Sequence, residues 1–488
     1  MAGYPHCCGR NWAVFALVFA ISSPLIPRLD GLPPYAERTE RFDHDPGWEG
    51  VNNRGTATAA REVKQDFGYS ATAHAGGGLG EIGGLITPDA SPAFYAKKIP
   101  SASLENPLNA SGVINCTGRK FHFLLGFFNS QTLNEWRTPN TVVLRLQGRG
   151  NHFYAYLEYA TSRWRAGGDS PKGFSIPDAI TGKHKPIEFS LNVPHKWSLK
   201  YDPATNAITA TIDDQIAVCN VETSHRIDGA TFDRFGMLNI VKSVDDSGEV
   251  WLDDITINGD TERFDNDPRW DERGNRRTYL SSDVRPKFNF GYSPTHFAGG
   301  KAAGEMGGIV YRGDGRYRDK MAWYADRVGN LSLDQPLRIR GKISLLRGVS
   351  DSTTLLGFFN SKTTTAVNDS QGTAIPDDFL GIAIEGPSSE GFLVYPAYRV
   401  MGDGKSNYGG FTVNRILPDG TTHDFSFEYI PDQHRILVNL DAKSILLDLP
   451  AGVRDVKTLF DRMGLVTTRI DGNAQRIYFD DLTYTVEK

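Results

Sequence analysis

One short run of residues carries groups that could bind or transform a sugar. Residues 151–159 read NHFYAYLEY, and this alternation places His152, Tyr154, Tyr156 and Glu158 on one face of a strand. Aromatic rings suit the C–H faces of sugars, and polar tips suit their hydroxyls. Imidazole, phenol and carboxyl groups also transfer protons. The alternative is an ordinary sheet face with one half-buried aromatic side.

Further aromatic and basic residues lie near this run, and the arginines could form charge-assisted hydrogen bonds with an anionic polysaccharide. In the second half of the chain Tyr395 aligns with Tyr156, but His152 and Glu158 have no counterparts. The first half is therefore predicted to be the active copy. The predicted substrate-binding set is Tyr154, Trp136, Arg137, Arg145, Trp164 and Tyr69.

A glycine-rich motif occurs twice, as GYSATAHAGGGLGEIGG at residues 68–84 and GYSPTHFAGGKAAGEMGG at 291–308. So many glycines indicate close backbone approach or positive φ, in either a structural crossing or a site-forming loop. Glu81 and Glu305 inside these motifs are expected to form structural ion pairs with an arginine. The catalytic alternative makes Glu81 and Glu158 an acid/base pair across a groove, at about 5–10 Å for hydrolysis.

The predicted catalytic set is thus Glu81, Glu158, His152, His195 and Tyr156. His195 precedes a predicted strand, and a turn histidine hydrogen-bonded to backbone is favoured there over a catalytic base.

Paired aspartates open and close each half of the chain. In jelly-roll sandwiches the first and last strands are commonly sheet neighbours, and such an arrangement would bring these carboxylates together. Such clusters need a cation, and Ca²⁺ with its preference for oxygen is the natural candidate. The alternative is that one aspartate of each pair caps a turn or pairs with Arg41 or Arg263. The candidate metal ligands are Asp43, Asp45, Asp253, Asp254, Asp265, Asp267, Asp480 and Asp481.

These residues lie within an internal duplication. ERFDHDPGW at residues 40–48 returns as ERFDNDPRW at 262–270, 222 positions later, and LLGFFNSQT at 124–132 returns as LLGFFNSKT at 355–363. So long a period excludes a solenoid and indicates whole domains in tandem. The predicted organisation is a signal peptide and linker at 1–38, repeat one at 39–259 and repeat two at 260–488.

Within each repeat the polarity alternates with a period of two. Stretches such as WSLKY at 197–201 and FSFEY at 425–429 read as short strands, with turn signals such as Asp202-Pro203 and Pro431-Asp432 between them. The sequence therefore predicts an all-β protein of two tandem jelly-roll β-sandwich domains, each of about 220 residues.

Each repeat resembles a concanavalin A-like lectin/glucanase domain, the jelly-roll group that includes laminin G-like modules. The resemblance rests on the closing strands WLDDIT at 251–256 and YFDDLT at 478–483, and on HKWSLKY at 195–201 followed by a TATID strand. It implies the fold and a carbohydrate ligand. The glucanase signature Glu-x-Asp-x-x-Glu is absent, since Gly83 stands where the second carboxylate should be.

Composition and the N-terminal sequence limit the partners and the cellular location that we predict. A net charge of −5 and 11% aromatic residues argue against nucleic-acid or anionic-membrane partners and for a β-rich protein. The apolar run at 13–21 after Arg10 has the form of a signal-peptide core, with a retained N-terminal anchor as the alternative. Cys116 and Cys219 could pair after export, or stay isolated buried thiols.

Together these features predict a protein that is secreted, periplasmic or on the cell surface, binds a polysaccharide or glycan and has no membrane span in its mature form. In its enzymatic version it would cleave the polysaccharide, as a glycoside hydrolase or polysaccharide lyase. The alternative is a non-catalytic carbohydrate-binding or adhesion protein.

Overall fold

The computed structural model describes residues 35–55, 59–133, 138–168, 173–178, 180–367, 374–400, 406–408, 414–455 and 457–488. Trp136, Arg137 and the predicted export signal lie outside the described residues. The described chain is nearly all antiparallel β-structure, as predicted. Its helices are α1 (Thr223–Asp228) and single 3-10 turns at Arg318–Lys320, Pro431–Gln433 and Val453–Asp455. None of the helices in this part of the chain is long and apolar enough to cross a membrane.

The strands of the first part of the chain are β1 (Tyr35–Glu40), β2 (Glu49–Val51), β3 (Arg61–Ser70), β4 (Glu81–Ile86), β5 (Phe94–Ser103), β6 (Leu108–Cys116), β7 (His122–Phe128), β8 (Thr141–Arg149), β9 (His152–Ala160), β10 (Ala166–Gly168), β11 (Ser175–Pro177), β12 (His184–Pro186), β13 (Phe189–Ser190), β14 (His195–Asp202), β15 (Ala207–Ile212), β16 (Gln215–Asn220), β17 (Thr231–Asn239) and β18 (Gly248–Ile257).

The remaining strands are β19 (Asp260–Glu262), β20 (Asp271–Arg273), β21 (Arg276–Ser281), β22 (Asn289–Ser293), β23 (Glu305–Tyr311), β24 (Trp323–Ser332), β25 (Leu337–Gly348), β26 (Ser352–Phe359), β27 (Phe379–Ser388), β28 (Gly391–Arg399), β29 (Ser406–Tyr408), β30 (Arg415–Ile416), β31 (Thr422–Ile430), β32 (Arg435–Leu440), β33 (Lys443–Asp448), β34 (Leu459–Val466) and β35 (Ala474–Glu487).

The first β-sandwich consists of two sheets. Sheet 1 has the strand order β16-β15-β14-β6-β18-β4-β3-β21, with β19 beside β18, and sheet 2 has the order β10-β9-β8-β7-β17-β5-β20, with β13 beside β9. Strands β11 and β12 form a separate hairpin. Inward-facing side chains of both sheets, such as Phe67, Leu125 and Tyr201, form one apolar core.

The second β-sandwich repeats this plan. Sheet 3 has the order β22-β23-β35-β25-β31-β32-β33, with β1 beside β35, and sheet 4 has the order β2-β24-β34-β26-β27-β28-β29, with β30 beside β28. A second core, including Phe290, Phe358 and Tyr429, lies between these sheets.

Strand pairing crosses the limits of the sequence periods. The N-terminal arm, residues 35–54, forms β1 on β35 and β2 on β24, so it completes the second sandwich. The central arm, residues 260–281, forms β19, β20 and β21 on β18, β5 and β3, so it completes the first. Phe42 accordingly lies in the second core, and Phe264 and Trp270 lie in the first.

Candidate functional site

The outer face of sheet 2 carries the residues that the alternation in 151–159 places together. Along β9 the side chains of His152, Tyr154, Tyr156 and Glu158 are half-buried, while those between them are buried. The neighbour β8 lies antiparallel in register, with Arg149 opposite His152, Gln147 opposite Tyr154 and Arg145 opposite Tyr156. The predicted polar face is confirmed, and these partners lie on the same face of the sheet.

At one end of this face, Arg145 is held by several neighbours. Its Nε lies 2.7 Å from Oε1 of Glu158, and its guanidinium lies 4.1 Å from the centroid of the Tyr156 ring. Arg145 also donates from Nη1 to Nε2 of His122 at 3.3 Å. Burial, and then the charge of Arg145, hold the pKa of His122 well below its usual range, so this imidazole is neutral and accepts the bond. The polar groups of Arg145, Glu158 and His122 therefore interact largely with one another.

The other end of the face is more open. Nε2 of His152 lies 3.0 Å from the Tyr154 hydroxyl, which in turn donates to Oε1 of Glu188 at 3.5 Å. Nδ1 of His152 lies 3.6 Å from Oε2 of the same glutamate, whose side chain is 46% exposed. Sequence reasoning missed Glu188, because it precedes the two-residue strand β13, which is too short for a period-two pattern. Pairing of β13 with β9 brings it to the site.

Glu81 is buried and enclosed by its own loop. Its Oε1 accepts bonds from the Thr72 hydroxyl at 2.6 Å and the His74 amide at 2.7 Å, and its Oε2 accepts one from the Ala75 amide at 2.7 Å. Glu305 is bound in the same way by Thr295 and two loop amides. The structural reading fits both glutamates, but their partners are hydroxyls and amides, so the expectation of an arginine partner was wrong.

Glu81 and Glu158 point away from the first core on opposite sides. Ile82 and Leu157 both belong to that core, so the adjacent glutamates on β4 and β9 project outward from sheet 1 and sheet 2 respectively. The structure therefore does not place them across one groove. The geometry that hydrolysis by this pair would require is not present.

His195 is buried in the first sandwich, and both of its ring nitrogens have partners. It is 6% exposed, with Nδ1 2.6 Å from Oδ2 of Asp213 and Nε2 2.9 Å from the carbonyl oxygen of Ser190. The imidazole also packs edge-on against Phe153. These contacts agree with the expected backbone-bonded turn histidine.

Two other predicted contact residues lie apart from the His152 end of the face. Tyr69, on β3 of sheet 1, packs against the core, and its carbonyl oxygen accepts a bond from Arg276. Trp164 follows β9 with φ of 58° and has a buried indole N–H without a hydrogen-bond partner among the described residues.

The eight aspartates divide between the sandwiches through the arms. Asp43 and Asp45 lie on the N-terminal arm beside the second sandwich, whereas Asp265 and Asp267 lie on the central arm beside the first. Asp45 and Asp267 each accept the amide of the residue two positions later at 2.9 Å, as expected for turn caps.

Asp253 and Asp480 are the buried members of the set. Each accepts the amide of the following aspartate at 2.7 Å. Burial, and then the neighbouring charges of Asp254 and Asp481, raise the pKa of Asp253 to about 6 and that of Asp480 to about 7. Asp480 Oδ2 and Asp481 Oδ1 have no hydrogen-bond partner in the described part of the chain.

A third acid–base cluster joins the two sandwiches. His225, fully buried on α1, has Nδ1 2.8 Å from the Tyr159 hydroxyl and Nε2 2.9 Å from Oε1 of Glu390. Glu222 completes a group of possible metal ligands. Glu390, however, already pairs with Arg415 at 2.8 Å, so the cluster fits an electrostatic contact between sandwiches better than a cation site.

The corresponding face of sheet 4 is apolar where sheet 2 has Arg145 and Glu158, and farther along β27 the Tyr395 hydroxyl donates to Glu385. Register places Tyr395 where β9 has Tyr156, and Ala383 where β8 has Arg145. Tyr395 and Ala383 belong to a buried apolar cluster with Trp323 and Phe359. The asymmetry between the repeats that the sequence indicates is therefore present in the structure.

Both cysteines of the first sandwich, Cys116 and Cys219, are buried free thiols.

No protein-family model and no curated protein sequence matches this chain. Solved structures similar to it include domains LG4-5 of the mouse laminin alpha1 chain, at 13% identity over 85% of this chain and 92% of that chain, with a TM-score of 0.24. The carbohydrate recognition domain of Emp47p shows 11% identity over 40% of this chain and 88% of that chain, TM-score 0.24. A heptameric SAP-like pentraxin from Limulus polyphemus shows 9% identity over 42% and 96%, TM-score 0.25. Similarity at this level carries no information on ligand or activity.

Proposed function

We propose that the protein binds an acidic polysaccharide on the outer face of sheet 2, where β8 and β9 present Gln147, Arg149, His152 and Tyr154. The observation that carries this proposal is the half-buried polar row on β9 beside an exposed arginine on β8. Rings and hydroxyls of the row suit sugar faces and hydroxyl groups. Arg149 has no ion pair with a carboxylate among the described residues, so its guanidinium is available to a uronate.

Binding is favoured over hydrolysis because the carboxylates are wrongly placed. Glu81 accepts three hydrogen bonds from its own loop, and Glu158 is paired with Arg145 on the far side of the core. A glycoside hydrolase of the usual kind needs two carboxyl groups flanking one bond.

A second function, β-elimination, is favoured by one specific contact. The Tyr154 hydroxyl lies between Nε2 of His152 and the Glu188 carboxylate. In this reaction a base removes the proton at C5 of a uronate, the C4–O bond breaks, and the departing oxygen takes up a proton. His152 and Tyr154 are the proton-transfer candidates, and Arg149 would neutralise the uronate carboxylate.

The test compares uronic-acid polysaccharides with neutral ones, measuring both binding and the ultraviolet absorbance of 4,5-unsaturated products. We expect uronate binding that falls at least about tenfold in Arg149→Ala, the loss of one charge-assisted contact. Lys200→Ala, which removes an exposed cation from sheet 1, is the matched control and should change nothing. Equal binding of neutral and acidic polymers, or unaltered binding by Arg149→Ala, would contradict the proposal.

The enzymatic version is decided by Tyr154→Phe, which keeps the ring and removes the hydroxyl. If the protein is a lyase, this variant should bind normally and form no unsaturated product. If the unmodified protein binds the polysaccharide but forms no unsaturated product, the lyase function is excluded and only the binding function remains.

We also propose a structural Ca²⁺ at the closing aspartates of the second sandwich. Asp480 and Asp481 would hold it, since each has a buried carboxylate oxygen without a hydrogen-bond partner among the described residues. Calcium binds such oxygens and would offset their mutual repulsion. Export of the chain, predicted from residues 13–21, is part of the same proposal, because glycan polymers and millimolar calcium occur together outside cells.

A further inference from the structure

A cleft lined by both sandwiches is distinct from the face around Tyr154. Its volume is about 670 Å³, within the range of small-molecule sites. Leu133 and Ser243 of the first sandwich line it, together with Val349 and Tyr478 of the second. The two sandwiches meet at its edge, where the Ser243 hydroxyl donates to Asn473 at 2.6 Å.

The charge of this cleft is strongly one-sided. Four arginines line it, against the single carboxylate of Asp283, which already accepts a hydrogen bond from the Tyr311 hydroxyl. Positive charge that lines one cleft favours the binding of an anion there. The arginines are Arg54, Arg273, Arg347 and Arg476.

Two of the arginines are held in place by neutral groups. Arg54 donates to Oδ1 of Asn289 at 2.8 Å and to the carbonyl oxygen of Tyr292. The Arg476 guanidinium lies 5.3 Å from the Phe297 ring centroid, and its Nε donates to the Tyr478 hydroxyl at 3.2 Å. Neither arginine forms an ion pair with a carboxylate within the described residues. Their positions are therefore fixed while their charge stays uncompensated.

The duplication supplies an internal control. Strand register places Asp66, Leu85 and Glu249 in a row across sheet 1, and Asn289, Ile309 and Arg476 in the equivalent row across sheet 3. The first sandwich thus has a carboxylate at both positions where the second has an amide and a cation.

The equivalent pocket of the first sandwich is smaller and balanced in charge. It measures about 240 Å³ and holds two cations, Lys64 and Arg276, against Asp66 and Glu249. Asp66 lies 3.1 Å from Lys64 and 3.4 Å from Arg276, so both cations are compensated within the protein. The same backbone framework is neutral in one repeat and cationic in the other, so the excess of arginine is not a requirement of the fold.

We propose that this inter-sandwich cleft is a binding site for a small polyanion bearing carboxylate, sulfate or phosphate groups. Arg54 and Arg476 provide two fixed guanidiniums, and the exposed Arg273 of the central arm faces the ligand from the side of the first sandwich. Because the lining comes from both sandwiches and both arms, the bound anion also bridges the two sandwiches.

Calorimetric titration of the full chain with a digalacturonate, a sulfated disaccharide and inorganic pyrophosphate tests the proposal and separates the three anion types. We expect at least one probe to bind with one site per chain, and its affinity to fall steeply as salt is added. The double variant Asn289→Asp/Arg476→Glu installs the composition of the first sandwich, so the fold should tolerate it. It should weaken the binding of that probe by about tenfold or more.

The control variant Asp66→Asn alters the charge-balanced pocket of the first sandwich and should leave the affinity for the probe unchanged. Arg273→Ala alters only an exposed side chain and should lower it, which keeps the test informative if the double variant does not fold. Absence of saturable binding by all three probes, or unchanged affinity in both arginine variants, would overturn the proposal. Polysaccharide binding that depends on Arg149 would survive either result, so this test and that of the sheet 2 face fail independently.

Discussion

Asn53 donates its side-chain amide to the carbonyl oxygen of Phe290 at 2.6 Å, although 237 positions separate the two residues. The Phe290 amide donates back to the Asn53 carbonyl oxygen at 2.9 Å. The other repeat contains the same clasp, in which Asn275 donates to the Phe67 carbonyl oxygen at 2.7 Å. Each arm is thus tied to the sandwich that the sequence period does not assign to it.

This arrangement explains the glycine-rich motifs. A Cβ at Gly80 would lie 1.9 Å from the Phe264 carbonyl oxygen, and one at Gly304 would lie 1.8 Å from that of Phe42. Both glycines also have φ above 110°, which disfavours any other residue. The backbone of an arm phenylalanine therefore packs directly against each glycine-rich motif. The glutamate of the motif holds the loop in shape by accepting its hydrogen bonds.

The first prediction concerns where the first sandwich can be cut. A fragment of residues 59–284 retains Phe264 and Trp270 in its core, whereas a fragment of 39–259 lacks both. Burial of each ring contributes about 1.5–3 kcal/mol. We therefore expect 59–284 to unfold cooperatively in urea and 39–259 to be less stable by about 3 kcal/mol or more, with greater binding of an apolar dye.

A third fragment, residues 39–284, controls for chain length. The N-terminal arm packs on the second sandwich, so its presence should not change the stability measured for 59–284. Equal stability of 39–259 and 59–284 would show that the first sandwich does not require the central arm.

The second prediction separates structure from chemistry at Glu81. Glu81→Ala leaves the part-buried amide of His74 and the buried amide of Ala75 without their acceptor, at about 1–3 kcal/mol for each unsatisfied group. Urea unfolding should show a loss of about 3 kcal/mol, while polysaccharide affinity per folded molecule stays constant. Glu62→Ala, an exposed change on the adjacent β3, should alter neither. A large loss of affinity with little loss of stability would return Glu81 to the active-site candidates.

Sequence patterns predicted the all-β fold and the polar face of β9, because both follow from local alternation of polarity. They could not assign the arms, since a duplicated sequence is consistent with each arm lying on either sandwich. Glu188 and the arginine cleft were missed for a related reason. Both sites are assembled from residues far apart in sequence, such as Arg54 and Arg476, and only tertiary contacts bring them together.

The third prediction is a pH dependence set by the closing aspartates. The folded state raises the pKa of Asp480 from 3.8 to about 7, chiefly by burial and by the charge of Asp481, so ionisation of this carboxyl opposes folding. The stabilisation is complete below the unfolded pKa and is lost as pH rises through about 7. In buffer with EDTA, the free energy of unfolding should therefore fall between pH 5 and pH 8, with about 2 kcal/mol of that change due to Asp480. Asp480→Asn should remove this part of the pH dependence.

Added Ca²⁺ should also flatten the pH profile if it binds here, since a cation favours the ionised pair. If Asp480→Asn has the same pH profile as the unmodified protein, the pKa of Asp480 is not raised. If Ca²⁺ does not change the profile, calcium does not bind at Asp480, and the carboxyl is neutralised by a proton instead.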